Sequence, residues 1–225
     1  MGREINGDSY TGAVRVGGPA DVRELPGLTI SKVAVGPMDN NAYLLRCAAT
    51  GEQLLIDAAN EPDTLLGLIG AGGLATVVTS HRHGDHVQAL AAVVAATAAR
   101  TVAHPDDAGA IPVAITTPVR GGDEVTVGEA TLRVIHLVGH TAGSIALLYG
   151  ADSEAPHLFT GDCLFPGGPG ATFGDPSAFR SLMDDLESKV FGPLPDATWI
   201  YPGHGKDSTL GAERPHLAEW RARGW

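Results

Sequence analysis

The chain has 225 residues, 44% hydrophobic and 18% charged, a globular composition that excludes a disordered or low-complexity protein and is long enough to bury a full core. Its formal net charge of −11 argues against a nucleic-acid backbone as the main partner, and two cysteines, Cys47 and Cys163, are too few for a disulfide framework. Residues 1–27 hold no apolar run of their own, so neither a secretory signal nor a membrane anchor is expected, and the expectation is an irregular arm on a soluble, cytoplasmic protein. From Leu28 to Val35 apolar residues alternate with small or polar ones, the pattern of a strand, and Tyr43–Cys47 and Gln53–Asp57 are two more, parted by a turn at Thr50-Gly51. This meander suggests a sheet that begins antiparallel. Glu61-Pro62-Asp63 opens a short helix to Ile69, with proline in its first turn. Thr76–Thr79 reads as a strand, Ala89–Ala99 as a helix and Thr101–Ala103 as a short strand. A second block follows: strands at Glu124–Val127 and Ala130–Leu137 joined by Gly128-Glu129, strands at Ser144–Tyr149 and His157–Thr160, a helix over Ser177–Val190 and a strand at Thr198–Tyr201. After Leu210 a short helix is expected to pack Trp220 and Trp225. The two blocks, 28–103 and 124–205, are organised alike, and with no linker between them they read as one domain over 28–225, two sheets face to face with helices outside.

The chemistry concentrates at strand ends. His81-Arg82-His83-Gly84-Asp85-His86 sets three imidazoles and a carboxylate within six positions, on the turn leaving an apolar strand, where α/β folds place their sites. Three later strands each hand over to a glycine-flanked turn with one ligand-type residue: His140, Asp162 and His204. Neutral imidazole and carboxylate suit divalent ions. Seven side chains exceed one tetrahedral ion and suit two: His81, His83 and His140 for the first, Asp85, His86 and His204 for the second, and Asp162, with two oxygens to share, as the bridge.

These motifs, in this order and spacing, resemble the metallo-β-lactamase superfamily, and within it the glyoxalase II-like (hydroxyacylglutathione hydrolase-like) branch; the resemblance runs from about residue 28 to the C-terminus. The segment Thr160-Gly161-Asp162-Cys163-Leu164-Phe165, followed by Gly167-Gly168, is similar to the bridging-aspartate segment of that branch. The resemblance implies an α/β fold of the four-layer αββα kind, two mixed sheets between helices, with a dinuclear site at one edge of the sheets. Zinc is the first expectation for both ions, and iron or manganese also fit. In the glutathione-thioester hydrolases a basic residue and a tyrosine grip the peptide shortly after the bridging aspartate; here Ala171 and Phe173 stand in those places, Lys206 stands where a tyrosine follows the last histidine, and the stretch after His204 is too short for their helical domain. The resemblance thus implies an intact hydrolytic core and leaves open whether glutathione is recognised.

Two ions sharing a water lower its pKa from 15.7 to around 7, and one of them polarises a carbonyl; Asp85 and Asp162 would act with the resulting hydroxide. A thioester suits such a site, because its leaving thiolate, with a pKa of about 8.5, needs little help from an acid. The expected substrate is a small thioester or ester, with no nucleic acid and no membrane as partner. Asp57 reads either as an orienter of a ligand histidine or as a strand-end turn residue. Lys206 and Arg214 are candidates for a substrate carboxylate, or solvated charges. Asn40-Asn41 borders the cleft or marks a turn. His104, His136, His157 and His216 read as packing or surface residues, and Cys163 as a small buried hydrophobe. Two other readings stay open: an iron persulfide dioxygenase using His81, His140 and Asp162 alone, and a scaffold of the same fold that holds metal without turnover.

Overall fold

The computed structural model describes residues 10–224. The first sheet has seven strands in chain order: β1 (Asp21–Glu24), β2 (Leu28–Val35), β3 (Asn40–Cys47), β4 (Gln53–Ile56), β5 (Thr76–Val78), β6 (Arg100–Ala103) and β7 (Thr117–Pro118). It begins antiparallel through β4 and turns parallel from β4 to β7. The second sheet contains β8 (Glu124–Val127), β9 (Ala130–His136), β10 (Ile145–Tyr149) and β11 (His157–Gly161) as an antiparallel run. A small hairpin, β12 (Leu164–Phe165) and β13 (Gly168–Pro169), follows, and then β14 (Trp199–Pro202), parallel to β11, and the edge strand β15 (Ser208–Thr209). The resulting order is β15-β14-β11-β10-β9-β8.

Alternation along the strands builds the layers. Leu54 and Ile56 of β4 join Ile145 and Leu147 of β10 in the core between the sheets, where Leu28, Ile30, Val134 and Phe159 also lie. Leu55, between them, faces outward onto Leu65 and Ile69 of α1 (Pro62–Ile69) and Leu90 and Val93 of α2 (Leu90–Thr97). Ala146 and Leu148 face the opposite helices, where Phe179, Leu182 and Met183 recur at helical spacing on α4 (Pro176–Asp185). The helix order is completed by α3 (Pro105–Ala108), ahead of α4, and by α5 (Leu210–Glu213) and α6 (Leu217–Arg223), which buries Trp220. This is the four-layer αββα arrangement. No helix among the described residues is long and apolar enough to cross a membrane.

Several expectations need correction. The arm is not wholly irregular: residues 21–24 add an edge strand to β2, and the buried Tyr10 gives its hydroxyl to Asp207 at 2.6 Å. Asn40 and Asn41 lie inside β3, and the turn falls earlier, where the Asp39 amide donates to Gly36 at 3.2 Å. The helix expected over 177–190 keeps α geometry to Asp185 and then widens into a π-helical turn over Leu186–Phe191. Asp175 caps its start, accepting from the amides of Ser177 and Ala178. The short β7 and α3 carry no periodic signal and were not expected. Trp225 and residues 1–9 lie outside the described residues.

Candidate metal centre

All the ligand-type residues stand at one edge of the two sheets, because β4, β5, β9, β11 and β14 end there together. Asp57 follows β4, His81 to His86 follow β5, His140 follows β9, Asp162 follows β11 and His204 follows β14. The first sheet thus supplies one run of candidates and the second sheet three separate loops. Tyr43, Phe159 and Tyr201 pack edge-on and stacked beneath them, with ring centres 4.6–5.7 Å apart. The Tyr43 hydroxyl donates to the Pro202 carbonyl at 2.6 Å, tying β3 to the loop of His204.

Six of the seven side chains gather into the two expected trios: His81 with His83 and His140, and Asp85 with His86 and His204. Asp162 lies between them. Its Oδ2 is 3.9 Å from His81 Nε2, 3.6 Å from His140 Nε2 and 3.5 Å from His204 Nε2, and its Oδ1 is 3.3 Å from His86 Nε2. The Nε2 atoms of His86 and His204 are 3.2 Å apart. Ligand atoms bound tetrahedrally at 2.0–2.1 Å stand about 3.4 Å from one another, and these spacings are close to that. His81 Nε2, His140 Nε2 and Asp162 Oδ1 are buried and have no hydrogen-bond partner, an arrangement that costs free energy unless a cation faces them. The donor set fits divalent metal.

The opposite ring nitrogens of His81, His86, His140 and His204 are engaged. His86 Nδ1 donates to Asp57 Oδ2 at 2.9 Å, His140 Nδ1 to the Ala171 carbonyl at 2.8 Å and His204 Nδ1 to the Met38 carbonyl at 2.9 Å. The Ser80 hydroxyl donates to Asp57 and stands 3.0 Å from His81 Nδ1. Each such bond keeps the proton on Nδ1 and turns an Nε2 lone pair inward. Burial, with His86 nearby, pushes the His81 imidazole well below its ordinary value, and burial lowers His140 too. Burial would lower His86 as well, but Asp162 and Asp57 outweigh it and hold the ring up to about 10, so positive charge is favoured there. Burial opposes ionisation of Asp162, yet His204 and His86 hold its carboxyl far below the usual carboxylate range.

Asp57 therefore sits as an orienter, and it also accepts the Ser80 amide at 2.7 Å. Asn40, which the sequence offered as bordering the cleft or marking a turn, donates to Asp85 Oδ2 at 2.8 Å. Two further residues that carry the arrangement gave no such signal in the sequence. Asp107 of α3, buried, accepts from the Arg82 amide at 3.0 Å, the Thr141 hydroxyl at 2.6 Å and the Gly143 amide at 3.0 Å, and so ties the His81–His86 loop to the His140 loop. Lys32, fully buried, donates to Gly12 O at 2.7 Å, to Gly205 O at 2.8 Å and to Asp207 at 2.6 Å, fixing the backbone beside His204. Gly203 was legible only as a turn glycine; a Cβ there would overlap Asp162 Oδ1 and press on His86.

The other candidates separate. Lys206 is exposed. Arg214 is neither solvated nor at the centre, since its guanidinium bonds Asp196 and the Phe191 and Leu194 carbonyls. His157, expected at the surface, is buried and pairs with the Tyr201 hydroxyl at 2.9 Å. His104 and His136 stack 3.9 Å apart at 20° and, with the exposed Asp106, form a separate group of ligand-type atoms outside the seven. His216 is half exposed beside Glu219, and Cys163 is buried.

The family model of the metallo-beta-lactamase superfamily matches residues 35–204, from the end of β2 to the last histidine of the centre. The hydroxyacylglutathione hydrolase of Polaromonas sp. strain JS666 is 37% identical over 169 residues, 73% of this chain and 62% of that protein; the chain thus spans under two thirds of the length of such curated relatives. Among solved structures, ETHE1 from Myxococcus xanthus superposes with a TM-score of 0.74 at 30% identity, over 86% of this chain and 84% of that one. The protein TTHA1623, solved in a di-iron-bound form, does so with 0.68 at 33% identity, over 81% and 96%. Matched across most of its length, the chain belongs to the metallo-beta-lactamase superfamily.

Proposed function

We propose that this chain is a metal-dependent hydrolase with a dinuclear site, acting on a small thioester or ester. The observation that carries the reading is the pair of complete trios with Asp162 between them. Likeness to the hydroxyacylglutathione hydrolases supports the thioester, and the di-iron form of a relative supports two ions and makes iron a rival to zinc. When bound, the ions would supply Lewis acidity towards a carbonyl and acidify water.

The remainder falls to the chain. His81, His83 and His140 would hold one ion and Asp85, His86 and His204 the other, with Asp162 shared. Asp57, the Ala171 carbonyl and the Met38 carbonyl accept the Nδ1 protons of His86, His140 and His204, which aims each Nε2 at the centre. Asn40 engages one oxygen of Asp85 and fixes its direction. His83, Asp85 and His204 are only partly buried, so the centre opens to solvent on the side where a substrate carbonyl must enter. A thiolate leaving group departs without a dedicated proton donor, which matches a site whose titratable side chains are all committed as ligands or orienters.

The test is metal content by mass spectrometry on protein purified without added metal, with thioester hydrolysis and oxygen uptake on the same sample. The expected result is two ions per chain and thioester cleavage, both reduced in His83→Ala. One iron per chain with persulfide-dependent oxygen uptake would establish the dioxygenase instead, and two ions without turnover the scaffold.

A further inference from the structure

Four large apolar side chains among the described residues are exposed: Val16, Val22, Met38 and Phe173. Two of them stand on the rim of the metal centre. Met38 is 60% exposed, and its own carbonyl holds His204. Phe173 is 74% exposed, with its ring 5.4 Å from His83 and 5.8 Å from His140. Phe165, on β12, brings a third apolar ring within 6.3 Å of His204. Between Phe165 and Phe173 runs a cleft of about 430 Å³, floored by Pro166, Pro169 and Ala171. Its single charged lining residue, Arg223, lies against Gly168.

The backbone under Phe173 is also informative. Phe173 and Gly174 have φ of 53° and 78°, and the Asp175 amide closes onto the Thr172 carbonyl at 3.0 Å. A turn with two left-handed central residues favours asparagine or glycine at the first, and a bulky side chain there is strained. The turn thus presents an aromatic ring to solvent beside the histidines at a cost in stability. The opposite wall is held firmly: the buried Glu213 accepts from the Gly167 amide at 2.8 Å and the Ser208 hydroxyl at 2.5 Å, anchoring the β12–β13 hairpin that carries Phe165.

Building on the hydrolase reading, we propose that this cleft binds an apolar, ring-bearing arm of the thioester or ester, with Phe173 as the platform that sets specificity. An uncharged ring stacked on Phe173 and flanked by Phe165 is a favourable occupant of such walls. A charged peptide arm would find few partners there. Two of its lining residues reach the centre, Phe173 beside His83 and His140 and Ala171 through its carbonyl on His140, so an arm lying in the cleft would place the scissile carbonyl towards the trios.

Two measurements on the zinc-loaded protein test this. The first compares kcat/KM for phenylacetyl and acetyl thioesters of one small thiol, and for acetyl thioesters of benzyl mercaptan and N-acetylcysteamine. The second, independent of turnover, compares binding of 2-phenylethanethiol and 2-mercaptoethanol by calorimetry. A preference of about tenfold or more for the ring-bearing member is expected in one substrate pair and in binding. In Phe173→Gly, with metal content per chain checked, the ratios fall to within about twofold, whereas Val22→Ser, on the distant edge strand, keeps the wild-type ratios. Thioester cleavage without a ring preference, or a preference that survives Phe173→Gly, overturns the proposal and leaves the hydrolase standing. Ring-selective, Phe173-dependent binding with no cleavage of any ester refutes the hydrolase and keeps the cleft.

Discussion

Lys32→Met tests the idea that a buried ion pair some distance from the ligands holds one of them. Lys32 follows Leu28 and Ile30 in the inward-facing row of β2, yet ends in an ammonium that is fully buried. Its three protons meet three acceptors, Gly12 O, Gly205 O and Asp207 Oδ1, and the other oxygen of Asp207 takes the Tyr10 hydroxyl and the Trp199 indole at 2.6 and 2.9 Å. Burial lowers the Lys32 pKa and Asp207 opposes that shift. Methionine keeps the stem but leaves Asp207 short of its counter-charge, and losing one partner of such a pair costs about 3–5 kcal/mol. For a chain of this size that corresponds to a fall in Tm of about 6–20 °C, at roughly 2–4 °C per kcal/mol. Because Gly205 follows His204, the trio of Asp85, His86 and His204 should weaken about tenfold or more in a zinc titration, with the trio of His81, His83 and His140 unchanged. Circular dichroism melts and the two-step titration read both effects. A Tm within 2 °C of wild type, or equal weakening of both steps, would refute the reasoning. Lys32→Met with Asp207→Leu should recover part of the lost stability, since an apolar pair replaces an unpaired carboxylate.

Asp107→Ala leaves the Arg82 and Gly143 amides and the Thr141 hydroxyl without their acceptor, a cost of about 3–5 kcal/mol, and it should weaken the His81, His83 and His140 step first, as read by the same titration. Gly203→Ala forces a Cβ onto Asp162 and His86, so the purified variant should carry fewer than two ions per chain while its far-ultraviolet spectrum stays native. Zinc at a hundredfold excess over its dissociation constant should stabilise the apo protein by about 2.7 kcal/mol, about 5–11 °C in Tm, reversed by chelator. The Thr50 hydroxyl and the Glu129 amide bring the Cys47 thiol down from 9.0 to about 7, whereas burial pushes Cys163 up. Thiolate absorbance should therefore rise through pH 7 by one group per chain and vanish in Cys47→Ser; a depressed acid contributes stability above its unfolded pKa and loses it as pH falls through the folded one, so that contribution fades from pH 9 to 7.

The candidate ligands were legible because histidine and aspartate at apolar strand ends have few structural reasons to be there, and because two blocks of strands and helices allow few ways to pack. Their supports were not. Asp107 follows Pro105-Asp106 and reads as the polar start of a short helix, and its three donors lie 25, 34 and 36 positions away. Lys32 occupies an inward position of an alternating strand, and nothing local says that a carboxylate from residue 207 will meet it. Arg214 was placed wrongly for the same reason, because its acceptors on Asp196, Phe191 and Leu194 exist only once α5 has docked. The strand at 21–24 is polar and exposed on alternate residues, so its pairing with β2, not its composition, makes it a strand.

The distribution of ligands over the two sheets also bears on when metal can be taken up. On the proposed pairing each ion draws two ligands from the block ending before residue 104 and, besides the shared Asp162, one from the later block, His140 or His204. A chain leaving the ribosome N-terminus first exposes His81-Arg82-His83-Gly84-Asp85-His86 long before either partner emerges. On that pairing full coordination of the first ion would wait for β9 and β11 to dock and that of the second for β14, so tight metal uptake would follow the meeting of the two sheets rather than precede it.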